Sequence, residues 1–183
     1  MNDLVEIYSA NEEATDVGKI IYENNKYLLI QAVDDQGKTD GYLLFARDFI
    51  NNIKKDSPYL EKIKACMPIW SDNKIGKSDD PIYKSEPDFR DLILFAKENH
   101  KMVLVAKGKN FYDFLIGSIR KIYQDGFDLE AIDRDSGEIY GDFYLDFNKI
   151  KVLEIETIDL FLLESLRKNH EWYLDFDGFK PGW

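Results

Sequence analysis

A chain of 183 residues with 44% apolar and 14% aromatic side chains holds enough hydrophobic surface for a core, which excludes the disordered class. Its 24 basic residues against 35 acidic ones give a formal charge of −11, a balance that repels nucleic acid and anionic membranes, and pairs such as Lys54-Lys55 are too short to override it. The single cysteine, Cys66, excludes an internal disulfide and reads as a small buried hydrophobe; with no basic leader and no long apolar run, a cytoplasmic protein is expected.

The chain nearly repeats itself at an offset of about 100 residues, residues 17–53 returning as residues 116–153. Residues 4–8 open the first copy as a short apolar strand and residues 102–106 open the second. Polar or aromatic connectors lead to the strands around Gly18 and Gly117. Leu28, Ile30 and Ala32 then alternate on one face, as do Phe127, Leu129 and Ala131, and a period of two means a strand with one buried side. Asp34-Asp35-Gln36-Gly37 and Asp133-Arg134-Asp135-Ser136-Gly137 follow as tight hairpins, because Asp caps the local backbone and Gly accepts positive φ. The returning strands carry Leu43 and Phe45 in one copy and Phe143, Leu145 and Phe147 in the other.

A helix closes each copy. Ser57 before Pro58 caps the first and Thr157 the second, with apolar stripes at Leu60, Ile63 and Cys66 and at Leu160, Leu163 and Leu166, the latter widened by Phe161 and Leu162. Residues 71–84 read as an exposed linker. Ser85-Glu86-Pro87-Asp88 then resembles a capping box for an amphipathic helix with Phe89, Leu92, Ile93 and Phe95, ending near His100. The aromatic residues of 171–183 carry too much apolar area for water and are expected to dock on the body.

Gly18, Ile20, Asp34, Gly37 and Gly41, with their counterparts, make each copy similar to the small barrels of the SH3-like and Sm-like families. The resemblance covers residues 17–53 and 116–153 and implies an α+β, β-rich fold: a tandem repeat of two small SH3-like/Sm-like units, each followed by a helix. The organisation expected is a first unit over 1–70, a linker and amphipathic helix over 71–101, and a second unit with its helix and aromatic end over 102–183. Sm-like proteins use a late Arg-Gly or Lys-Gly pair to hold RNA; here Lys107-Gly108 lies outside the matching stretch, so that role is not implied.

Chemistry-bearing patterns are few. Asp133-x-Asp135 starts like a calcium loop, but Gly137 stands where a third ligand belongs and Tyr144 where the closing acid belongs, and Asp175-x-Asp177-Gly178 reads as an ordinary turn. One Cys and two distant histidines, His100 and His170, supply no zinc site; each His stands at a helix end, where its charge suits the helix dipole. No nucleophile elbow and no phosphate-binding glycine loop occurs, so no catalytic residue, metal or cofactor is assigned. The surface profile is acidic and rich in tyrosine. It points to a non-enzymatic interaction protein that binds or inhibits a basic protein partner, as an immunity protein does, through Asp34, Asp35, Asp133 and Asp135 and through Tyr42, Tyr140 and Tyr144. The alternative is an enzyme with a carboxylate site in the groove between the copies, recognisable by converging acids and a perturbed pKa.

Overall fold

The structure, a computed structural model, describes residues 4–9, 15–72, 86–108, 114–135 and 137–168. Among the described residues, ten strands form one antiparallel sheet. In the first half these are β1 (Leu4–Ser9), β2 (Thr15–Glu23), β3 (Tyr27–Val33), β4 (Thr39–Ala46) and β5 (Ile50–Lys54), followed by helix α1 (Pro58–Asp72). Helix α2 (Phe89–Glu98) leads into β6 (Met102–Lys107), β7 (Phe114–Ile122), β8 (Gly126–Ile132), β9 (Ile139–Asp146) and β10 (Ile150–Ile155), and helix α3 (Ile158–Lys168) follows. The protein is thus α+β and β-rich.

The strand order is β5-β1-β2-β3-β4-β10-β6-β7-β8-β9, so the first five strands pair in the same order as the last five. The registers agree as well. Gly18 faces Ala32 as Gly117 faces Ala131, and Glu6 faces Lys54 as Leu104 faces Glu154. A 3-10 turn, Arg47–Phe49 or Phe147–Lys149, separates the fourth strand from the fifth in each half.

Closure into two separate barrels does not occur. The outer edge of β4 pairs instead with β10, Leu43 opposite Glu154 and Tyr42 opposite Ile155, which fuses the halves into one open sheet ending at β5 and β9. Backbone donors and acceptors on a strand edge need partners, and here each half supplies them to the other.

Helices α1 and α3 pack alike. Leu60 and Ile63 lie over Leu4, Val17 and Val33, while Leu160 and Leu163 lie over Met102, Ile116 and Ile132. Burying such a leucine or isoleucine contributes roughly 1.5–3 kcal/mol. Phe161 and Leu162, expected to widen the buried stripe, face solvent at 59% and 52% exposure, because the stripe of α3 is satisfied by Leu160 and Leu163. Cys66 is half-buried, and the side chain of Leu166 lies outside the described set. Helix α2 joins the halves: Phe89, Leu92, Ile93 and Ala96 share a core with Leu29, Tyr42 and Leu44 of the first half and Phe127, Leu129 and Leu145 of the second.

The caps differ in part from those expected. Ser57 does cap α1, its Oγ accepting from Leu60 N at 3.0 Å, but the capping box of α2 pairs Asp88 with Asp91. Thr157 Oγ1 is buried without a hydrogen-bond partner among the described residues, and the first N–H of α3 donates to Asp40 Oδ1 at 2.7 Å. His100 sits just past α2 at φ +55°, its N–H donating to Lys97 O. Helix α1 runs on to Asp72, two residues into the expected linker; Ser85, His170 and residues 171–183 lie outside the described residues.

Candidate functional site

Both expected hairpins form as turn chemistry dictates. Asp34 Oδ1 accepts from Gln36 N at 3.0 Å and Lys38 N at 2.8 Å, and Gly37 takes φ +87°. Asp133 Oδ1 accepts from Asp135 N at 3.1 Å, and Gly137 takes φ +70°. The first hairpin leans on α1, where Trp70 Nε1 donates to Gln36 O. The second stands beside α3, with Arg134 paired to Asp159.

Where the halves meet, a cleft of about 350 Å³ opens. Its lining comes from β2 (Asp16, Val17), β3 and its hairpin (Ala32, Val33, Asp34, Asp35), β4 (Asp40, Leu43), β10 (Glu154) and the start of α3 (Thr157, Asp159), with Tyr59 of α1. Six of these twelve side chains are carboxylic acids, and none is Lys, Arg or His. Their burial is uneven. Asp35 and Asp159 reach solvent, whereas Asp16 Oδ2 is buried and has no hydrogen-bond partner among the described residues.

Packing carboxyls in a poorly solvated space disfavours their charged form. Burial pushes Asp16 up to about 6. Glu154 rises to about 8, from burial first and then from the negative charges of Asp16, Asp40 and Asp159, against a smaller opposing effect of Arg134. Asp40 is raised by burial as well, although its bond to Ile158 N works the other way.

A second acidic surface lies on the edge strand β9. Tyr140 and Tyr144 are 54% and 51% exposed there. Asp142 is exposed between them, and Asp128, opposite Tyr144 on β8, accepts from the Tyr123 hydroxyl. The Tyr144 hydroxyl is pushed up to about 12 by desolvation, by its hydrogen bond to Asp125 and by nearby Asp146 and Asp128.

The expected site residues therefore divide. Asp34 and Asp35 line the cleft, Asp133 and Asp135 flank Arg134 on an exposed turn, and Tyr140 and Tyr144 occupy the far edge. Tyr42 is corrected: at 3% exposure it belongs to the core beneath α2 and offers no ring to a partner. Asp16, Asp40, Glu154 and Asp159 were not singled out by sequence reasoning. One signal was present: Glu154 falls two residues after Val152, on the strand face that packs into the first half.

Among the described residues no three His, Cys, Asp or Glu side chains converge in an arrangement able to hold a metal ion. None of the described helices is long and apolar enough to cross a membrane. What the fold and surfaces define is a β-rich α+β protein with an acidic cleft at its centre and an acidic, tyrosine-bearing edge. Comparison with protein-family models, curated proteins and solved structures finds no match to the chain.

Proposed function

We propose that this chain is a non-enzymatic interaction protein, a tandem of two diverged small β-units whose acidic, tyrosine-bearing surface binds and blocks a basic protein partner. The observation that carries the reading is the exposure of Tyr140 and Tyr144 on the edge strand β9, among Asp128, Asp142 and Asp146. Exposed aromatic rings supply contact area at low entropic cost, and surrounding carboxylates steer a cationic partner while disfavouring acidic ones. A net charge of −11 extends that steering over the whole surface.

Affinity capture from lysate of the source cells, at low and moderate salt, tests it. A near-stoichiometric basic protein is expected, weakened by added salt and lost with the double variant Tyr140→Ala/Tyr144→Ala. Replacing Asp34, Asp35, Asp133 and Asp135 together by Asn keeps the turn acceptors and weakens capture at low salt. Equal retention by all variants at every salt concentration overturns the reading.

The second reading, an enzyme with a carboxylate site between the halves, draws support from the cleft. Glu154 holds a proton near neutrality beside more acidic carboxyls, the split in pKa that acid–base catalysis uses. The interaction reading is preferred because, among the described residues, the lining offers no Lys, Arg or His to stabilise developing negative charge.

A further inference from the structure

We propose that the cleft between the halves is a binding site for an alkylammonium group, either the end of a free aliphatic diamine or polyamine or the side chain of a lysine presented by another protein. This proposal rests on the cleft alone and stands whichever of the two readings above holds.

The chemistry of the lining selects the ligand. Among the described residues, six acids and no Lys, Arg or His line a space of about 350 Å³, and only Asp159 of the six is paired to a cation in an ion pair, with Arg134 from outside the lining. Asp16 Oδ2 is buried there and has no hydrogen-bond partner among the described residues, an arrangement that normally costs stability and is relieved by a donor arriving from outside. A bare metal ion would need ligands grouped around a point, and the described carboxylates are not so grouped. The same lining also carries Val17, Ala32, Val33 and Leu43. Such a mixed lining suits a chain of methylenes ending in an ammonium, which buries its stem on apolar surface and directs three N–H donors to carboxylate oxygens. Tyr59 at the mouth, 37% exposed, offers a ring face to a second positive group.

Binding must be linked to protons. Glu154 feels the negative charges of Asp16 on β2, Asp40 on β4 and Asp159 on α3, opposed by the charge of Arg134. An ammonium entering this group favours the ionised carboxyls, so protons leave as the ligand arrives, and the affinity rises with pH between about 6 and 8.

The test is calorimetric titration of the full chain with 1,4-diaminobutane, with spermidine, and with a short neutral-capped peptide carrying one lysine, at fixed ionic strength in two buffers of different ionisation enthalpy. One saturable site with proton release is expected, and Asp16→Asn and Glu154→Gln should each lower its affinity by about tenfold, the range of one charge-assisted hydrogen bond. Circular dichroism confirms that each variant is folded. Should one fail to fold, Asp34→Asn, at the cleft mouth with its turn acceptor kept, is expected to weaken binding by a smaller factor. Binding of the amines shows a free ligand, and binding of the peptide alone shows a protein lysine; both support the proposal. No saturable heat with any probe, equal binding by Mg²⁺ or Ca²⁺ at the same concentration, or unchanged affinity in the folded variants would overturn it.

Discussion

Asp40 on β4 caps helix α3 from across the join, its Oδ1 accepting from the Ile158 N–H at 2.7 Å. A side chain of the first half thus completes the helix of the second, where the neighbouring Thr157 hydroxyl does not. Removing the acceptor leaves the amide without its partner. Asp40→Ala should destabilise the protein by about 1 kcal/mol, within the usual range for a lost cap, and Asp40→Asn should recover most of it. The midpoint of urea unfolding, compared for the three proteins, checks this.

The raised carboxyls give stability a direction with pH. Glu154 moves from 4.5 to about 8 on folding and Asp16 from 3.8 to about 6, so between these values the folded chain holds more protons than the unfolded one. Their favourable contribution is complete below the unfolded values and is lost as pH rises through the folded ones. Glu154→Gln should therefore gain stability over the parent as pH rises from about 5 to 8, by on the order of 1–3 kcal/mol, while the two differ least near pH 4. Melting temperatures across that range decide it; a constant difference contradicts the burial of this carboxyl.

Gly41 sits where β4 meets the end of β10. Its φ is +69°, and a Cβ there would lie 2.5 Å from Ile155 O and 2.5 Å from Glu156 C, both backbone atoms with no flexible end to move. Gly41→Ala should cost more than about 2 kcal/mol, since the left-handed strain and the clash add. At Gly108, also at positive φ but with no described atom within 4 Å of the added Cβ, alanine meets only the strain and should cost about 1 kcal/mol. Chemical denaturation of the two variants separates them.

Helix α3 offers a contrast between adjacent side chains. Leu160 is 1% exposed and Phe161 59%. Leu160→Ala should cost about 2–5 kcal/mol, the range for a buried leucine, and Phe161→Ser within about 0.5 kcal/mol. A large loss at Phe161, read from the same unfolding curves, would show that this ring is covered in solution.

Much of the local structure was legible before any coordinates. Period-two alternation marked the strands around Ile30 and Leu129, the Asp-Gly pairs marked both hairpins, and Ser57-Pro58 marked the start of α1. These features depend on neighbours within a few residues, where stereochemistry and turn chemistry decide. Tyr42 was misread for the same reason: on its own strand it looks like Tyr140, and it is buried by the core that α2 and β10 complete with Leu29 and Leu44.

The sequence by itself determined the β-rich class, the offset pattern of strands and turns, and the acidic charge that favours cationic partners, because composition and short-range periodicity carry those properties. Tertiary structure decided the rest. Pairing of β4 with β10 made one open sheet where two closed units were expected, and it brought Asp16, Asp40 and Glu154, distant along the chain, into one cleft. Edge pairing is a contest among strands with similar backbones, and carboxyl burial depends on what the winning pair places overhead, so neither is written in any local stretch of residues.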